Sequence, residues 1–167
     1  ISQTYSQISS YYINTNQPEK ALEALKKADA TAYSPTQKIS VQLEYVNYYS
    51  KFGDMQAAEK ILNECKTAFD QDKRLWSIKK RLYNIEYVYY LQSKQYPKAL
   101  EAAKKQEAEE LNLSESIQNS VHYLTKGKIY SNMGNMSEAI KYLQMYIEAE
   151  DSLKIANEQM ASSEFAT

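Results

Sequence analysis

Side chains able to carry catalysis are few in this sequence. His122 is the only histidine and Cys65 the only cysteine, so no His/Cys metal cluster can be assembled and no intramolecular disulfide can form. Cys65 has no histidine near it in sequence to draw off its proton. It falls on an apolar stripe with Leu62 and Phe69, which predicts a buried, inert thiol. His122, without a partner for metal or nucleophile chemistry, reads as a residue of the surface or of a groove rim. The chain has no glycine-rich phosphate loop, no Ser/His/Asp set and no convincing carboxylate pair. The expectation is a protein that is not an enzyme and needs no metal or cofactor.

What remains is binding chemistry. Lys73, Arg74, Lys79, Lys80 and Arg81 form the densest basic run; it reads as a solvated helix face, with docking of an anionic partner as the alternative. Glu107, Glu109 and Glu110 read as the polar end of a helix, and Met133, Met136 and Met145 as adaptable core filler. Lys plus Arg number 20 against 21 Asp plus Glu, which removes the broad positive field expected of a nucleic-acid binder. No apolar run approaches the ~18 residues needed to cross a bilayer. The chain opens on Ile1 without a signal-peptide pattern, and its last stretch, 151–167, still has helical character. That reads as part of something longer, from which a signal peptide or anchor was cut away.

The 167 residues include only three Gly and three Pro, too few turn formers for a fold of many strands. Helices with short connections are left. Sixteen Tyr beside three Phe and one Trp is the unusual feature, and the tyrosines lead to a repeat. Tyr11-Tyr12, Tyr48-Tyr49 and Tyr89-Tyr90 recur, with Ile129-Tyr130 in the same place a fourth time. An alanine follows nine residues after each second aromatic: Ala21, Ala58, Ala99 and Ala139. The intervals between these alanines are 37, 41 and 40, and the tyrosines give the same three values.

Each unit shows helical apolar spacing on both sides of a short break, as in Tyr5, Ile8, Tyr12 and then Ala21, Leu25, Ala28. The breaks hold Asn16 to Pro18, Gly53-Asp54, Gln95 to Pro97 and Gly134-Asn135, residues that start or stop helices. Ser34, Pro35 and Gln37 have the spacing of a capping box. Asp70 and Asp72 are candidate caps for the third hairpin, and Asn112 or Ser114 for the fourth. These signals predict eight helices over about 2–14, 18–31, 35–52, 55–69, 72–93, 97–110, 115–133 and 136–150, with a ninth from Asp151. Alanines mark the closest helix approach, and tyrosine fills the core while its hydroxyl reaches the hydrated rim.

An aromatic, a small residue four on, Tyr three further, Ala after nine and an apolar residue four beyond resembles the tetratricopeptide repeat. Tyr123, Gly127, Tyr130, Gly134, Ala139 and Leu143 show it best; the second unit reads Gln42, Val46, Tyr49, Gly53, Ala58, Leu62, with Gln42 in place of the first aromatic. The spacings exceed the about 34 residues usual for this repeat, so the added residues fall between hairpins. The resemblance implies an all-α, right-handed superhelical α-solenoid. Four tetratricopeptide-like hairpins would occupy 1–153 (about 2–35, 39–72, 80–113 and 120–153). A helix over 154–167 would either cap the last hairpin, through Leu153, Ile155 or Ala156 and Met160, or link to another chain.

It also implies a concave face lined by the first helix of each hairpin. That stripe holds Ser6, Ser10, Leu43, Asn47, Ser50, Arg81, Asn84, Val88, Leu124 and Lys128. The ligand-binding candidates are Asn47, Ser50, Arg81, Asn84, Val88, Leu124 and Lys128, suited to a peptide or protein partner. Relatives that clamp a terminal carboxylate use Lys and Asn on the first inner helices; Ser6 and Ser10 stand here instead, so that activity does not carry over. Tyrosine-rich repeats closing in Tyr142 to Ala156 are also similar to sensory regions of Bacteroidetes-type signalling regulators. That likeness implies the sensory or scaffold region of a bacterial signalling or transcription regulator, periplasmic if membrane-anchored and otherwise cytoplasmic. The alternative is a free-standing cytoplasmic adaptor that assembles other proteins. Neither reading involves direct nucleic-acid contact or a membrane span in these residues, and the C-terminal helix offers a route to a dimer.

Overall fold

The computed structural model describes residues 1–110 and 115–164. The chain is an all-α helical-repeat solenoid: α1 (Ser2–Asn14), α2 (Pro18–Ala30), α3 (Pro35–Phe52), α4 (Met55–Gln71), a 3₁₀ helix (Lys73–Ile78), α5 (Lys79–Gln92), α6 (Tyr96–Glu110), α7 (Glu115–Asn132) and α8 (Met136–Glu164). It divides into two compact units, 1–102 and 103–167. Seven helix starts and seven helix stops fall within a residue or two of the spacing-based expectation, and two elements differ. The helix expected over 72–93 opens with six residues of 3₁₀ helix, and the ninth helix does not begin at Asp151, because α8 runs through that point without a break. Asn112 and Ser114, candidate caps, lie outside the described residues.

In the first unit α1 packs on α2 and α3 on α4, while α3 also meets α1, α2, the 3₁₀ helix and α5. One core joins Leu43 and Val46 of α3 to Ala58, Leu62, Cys65 and Phe69 of α4. It continues through Leu75 to Leu82, Ile85 and Tyr89 of α5. Ala21, Ala58 and Ala99 have no exposed surface, as expected where helices approach most closely. The tyrosine pairs pack as edge-to-face rings in all three places: centroids 5.5 Å apart for Tyr11 and Tyr12, 5.3 Å for Tyr48 and Tyr49, and 5.4 Å for Tyr89 and Tyr90. The first member's burial varies along the array. Tyr11 is exposed, Tyr48 half-buried and Tyr89 buried.

The hairpin turns share a device that glycine only partly advertises. Asn16, Gly53, Lys94 and Gly134 all have positive φ, at 58°, 98°, 60° and 77°, and each stands four residues after the second aromatic. In the first, third and fourth turns the next amide donates back to that aromatic's carbonyl: Gln17 to Tyr12 at 2.9 Å, Gln95 to Tyr90 at 2.8 Å, Asn135 to Tyr130 at 3.0 Å. This is the Schellman closure of a helix C-terminus. The second turn uses the simpler closure, Gly53 N–H to the Tyr49 carbonyl at 2.9 Å, and Asp54 then caps α4 by accepting from the Ala57 amide. The capping box of α3 forms as expected, Ser34 Oγ accepting from the Gln37 amide and Gln37 Oε1 from the Ser34 amide.

The 3₁₀ helix accounts for the longest repeat interval. Asp72 caps it, accepting from the Arg74 amide at 2.9 Å, while the Arg74 guanidinium grips the same carboxylate from Nε and a terminal nitrogen. Arg74 holds that carboxyl below its ordinary value, by side-chain and then backbone hydrogen bonds. With Asp72 so fixed, the Leu75 amide reaches the Asp72 carbonyl at 3.0 Å and the chain winds tightly. Leu75 is thereby driven into the core.

In the second unit α7 packs against α8. A Cβ on Gly127 would lie 2.9 Å from the Leu143 side chain, so the small residue there permits the close helix approach. Tyr130 and Tyr142 stack with centroids 5.5 Å apart and planes within 5°. Two expectations are corrected in this unit. His122 is buried rather than at the surface or a groove rim, because it faces inward one position from exposed Val121. Met133 and Met136 are exposed rather than core filler, flanking the turn at Gly134.

Turn geometry yields a prediction. Nothing lies within 4 Å of a Cβ built on Gly53, so Gly53→Ala should act through the backbone alone and cost about 1 kcal/mol. Lys94→Gly should gain about 0.5–1 kcal/mol, the relieved strain exceeding the added unfolded-state entropy. Urea unfolding of both variants checks this; equal stabilities would show that the left-handed residues carry no strain.

Candidate functional site

Three successive leading helices bring small polar residues to one face. Ser2, Gln3 and Ser6 of α1, Thr36, Gln37 and Ser40 of α3, Ile78 at the end of the 3₁₀ helix and Arg81 of α5 line a cleft of about 200 Å³. Helical spacing explains the lining: Ser2, Ser6 and Ser10 recur every four residues, as do Thr36, Ser40 and Glu44, so each trio forms one row. Short side chains on both rows leave the space open. Some of the polar groups are committed to the fold. Ser2 Oγ donates to the Ala28 carbonyl at 2.9 Å, and Gln37 serves the capping box.

Through Arg81 the cleft adjoins a three-helix network. Glu44 of α3 is buried; its carboxylate accepts from Ser10 Oγ of α1 at 2.9 Å and from the Arg81 guanidinium of α5 at 2.5 Å. The Glu44 side chain is 7% exposed and that of Arg81 34%, so the pair works in a medium where water screens it only partly. Arg81 has further N–H donors beyond the one spent on Glu44. A second pair ties α4 to α5: Lys66 Nζ lies 2.9 Å from the buried Glu86 carboxylate and 3.3 Å from the Tyr90 hydroxyl. Burial works against the Lys66 charge, and Glu86 with Tyr90 overcomes it, holding the ammonium above its ordinary value. In the second unit buried Lys126 pairs with Glu107 at 2.5 Å.

The seven candidate residues separate into groups. Arg81 is on the cleft, and Ser6, read on the same stripe, joins it. Asn84, exposed, and Val88, half-buried, follow Arg81 along α5, and Asn47 is half-buried on α3. Ser50 is buried and its hydroxyl donates to the Val46 carbonyl at 2.7 Å, so it serves its own helix rather than a groove. Leu43 is likewise buried, in the core. Both departures arise because α3 is enclosed by neighbours on several sides, which widens its buried arc beyond the single face assumed from spacing. Leu124, half-buried, and Lys128, exposed, belong to the second unit. Glu44, Ser2, Thr36 and Ser40 were missed. The signal was available in the four-residue recurrence of small polar side chains, but a lone Glu within an apolar helix carries no mark of its partners.

This face presents hydrogen-bonding groups. Its hydroxyls, carboxamides and guanidinium can hydrogen-bond a peptide backbone or carboxylate. Among the described residues no group of His, Cys, Asp or Glu is placed to hold a metal ion, and no helix is long and apolar enough to cross a membrane. Cys65 is fully buried, with its thiol 3.7 Å from Gln42 Oε1. Burial, reinforced by Glu64, pushes that thiol up to about 12, so the thiolate needed for nucleophilic attack is scarce at neutral pH. Gln42, the residue replacing the repeat's first aromatic, is the group that receives it.

Stacked helical hairpins with a polar inner cleft define the class: a tetratricopeptide-like helical-repeat scaffold for protein interactions. Residues 1–103 match the family model of the 26S proteasome subunit RPN7. That match covers more than half of the sequence, and the chain belongs to this family. Residues 123–152, the α7–α8 hairpin in large part, match the tetratricopeptide repeat. Neither match is to a signalling regulator. No curated protein and no solved structure matches the chain.

The network across the cleft should be energetically coupled. A double-mutant cycle of Glu44→Gln and Arg81→Gln, followed by urea unfolding, should give an interaction energy of about 1–3 kcal/mol. Additive effects of the two substitutions would mean that the pair contributes no linkage between α3 and α5.

Proposed function

We propose that this chain is a non-enzymatic interaction module that binds a protein or peptide along the inner face of its hairpins, as a scaffold subunit of a larger assembly. The hairpins at about 2–35, 39–72, 80–113 and 120–153 are its repeating units. The observation that carries the reading is the polar cleft walled by helices from three successive repeats. Such a cleft suits an extended ligand, because each repeat can contribute one hydrogen-bonding row. Asn47, Arg81, Asn84 and Val88 extend the recognition surface along α3 and α5, with Leu124 and Lys128 the corresponding residues of the second unit. The family description, a proteasome subunit, supports the assembly role over free-standing signal reception.

A second reading, the sensory region of a bacterial signalling regulator, is favoured by one observation: α8 continues unbroken to Glu164, far beyond its partner α7. In that reading the extension is a linker or a dimer contact. Exposed Ile140, Ile147 and Ile155 on α8 support such a contact.

The groove reading predicts that Asn47→Ala with Arg81→Ala lowers affinity for a captured partner by at least about tenfold in calorimetry. Unchanged affinity with an unchanged circular dichroism spectrum would remove the inner face from consideration. The dimer reading predicts that Ile147→Glu with Ile155→Glu converts a sedimenting dimer to monomer; a wild-type chain that sediments as a monomer overturns it.

A further inference from the structure

The junctions between successive hairpins follow one positional rule. In steps of the alanine intervals, 37, 41 and 40, the residues Asp29, Lys66, Glu107 and Ile147 take one place on the second helix of each hairpin. Ile8, Tyr45, Glu86 and Lys126 take one place on the first helix. Where one hairpin precedes another, these two places come together. Lys66 Nζ lies 2.9 Å from the Glu86 carboxylate, and Lys126 Nζ 2.5 Å from that of Glu107. Likewise α2 packs on α3, and burial followed by the Asp29 charge raises the Tyr45 phenol above its ordinary value. A second pair of places runs beside the first. On α4 and α5 it holds Glu59 and Tyr89, and the Glu59 charge adds to burial in raising the Tyr89 phenol. The counterpart of Glu59 in the last hairpin is Ile140, and that of Tyr89 in the first hairpin is Tyr11.

Among the described residues, two faces built on these places have no hairpin against them. In the first hairpin Ile8 is 38% and Tyr11 61% exposed, whereas Tyr89, at the covered equivalent, is 4% exposed. Tyr5, Ile8, Tyr12 and Ala24 line a groove of about 340 Å³ there. Its charged groups are engaged within the hairpin: Lys27 pairs with Glu23 at 2.7 Å, and Lys20 donates to Gln17 and lies over the Tyr12 ring. In the last hairpin Ile140 and Ile147, each 56% exposed, stand seven residues apart and so share one face of α8.

Each of the three internal junctions has a charged residue in its first pair of places, whereas the two uncovered faces offer isoleucine on both sides. We propose that these faces meet between two copies of this chain, Ile147 and Ile140 of α8 in one copy docking against Ile8 and Tyr11 at the α1 and α2 groove of the next. The pairing extends the rule that already joins α4 to α5. Ile147 set against buried Glu86 or Lys126 would leave that charge without its partner, and set against Ile8 it buries aliphatic surface on both sides. The occupant is thus selected by charge as well as by position. Such a contact is heterologous, so each copy retains one face of each kind and association continues past two. A dimer of two α8 helices differs in using α8 on both sides and closing at two. The groove also shares no lining residue with the inner cleft, so self-association and partner binding there are separate properties.

Sedimentation velocity of the full chain at rising concentration tests the contact. The wild-type chain should form species larger than a dimer by about 100 μM. Ile8→Glu and Ile147→Glu should each weaken self-association at least about tenfold. An equimolar mixture of these two variants should recover one contact, because one supplies an intact α8 face and the other an intact first-hairpin groove, and should stop at a heterodimer. Both replaced side chains are partly exposed; circular dichroism melting verifies that the variants stay folded, and pairing in the mixture requires it. A wild-type chain that stays monomeric or stops at a dimer, an Ile8→Glu variant that associates as the wild type does, or a mixture that fails to pair would each overturn the proposal.

Discussion

A two-helix hairpin has more apolar surface than its own two helices can cover, and the first unit is organised around the helix that resolves this. α3 receives α4 as its hairpin partner, α1 and α2 from the preceding unit, and the 3₁₀ helix with α5 from the following one. Val41, Leu43 and Val46 are consequently buried on different sides of one helix, as are Glu44 and Ser50. The cleft and the network at Glu44 follow from α3 having neighbours in so many directions. Loss of the α3 contacts would leave hairpins that cannot persist alone.

Enclosing a helix this way forces its polar residues to find partners. Glu44 obtains Ser10 and Arg81 from the two flanking leading helices, and the buried Glu86 obtains Lys66. Buried ion pairs of this kind add little net stability over well-packed apolar residues, yet breaking one is expensive. Their effect is to fix which helix faces which. In a repeat array, where one hairpin resembles the next, such unequal contacts distinguish the correct stacking neighbour from its copies. Arg81 belongs both to this network and to the lining of the cleft.

The tyrosines and the turns illustrate how far local pattern reaches. Tyr-Tyr in phase with Ala21, Ala58 and Ala99 predicts helical hairpins, and the rings pack as three edge-to-face pairs of almost equal geometry. Glycine points to two of the four left-handed residues. Asn16 and Lys94 occupy the other two, because the requirement comes from closing the helix with a bond to the preceding aromatic's carbonyl, and any residue at that offset must comply. The capping box at Ser34 was legible for the opposite reason: its partners lie within three residues of one another.

Sequence alone determined the helical hairpins, their repeat phase, most helix ends, the inert thiol of Cys65 and the scarcity of catalytic groups. Each depends on spacing within one or two turns, where backbone geometry leaves few options. Tertiary structure decided the rest. It buried Leu43, Ser50 and His122, exposed Trp76, Met133 and Met136, and wound 73–78 into 3₁₀ helix around the Asp72–Arg74 grip. It also brought Ser10, Glu44 and Arg81 together from three helices. Those outcomes depend on how many neighbours a helix acquires and from which side, and that is a property of the stack rather than of any one repeat.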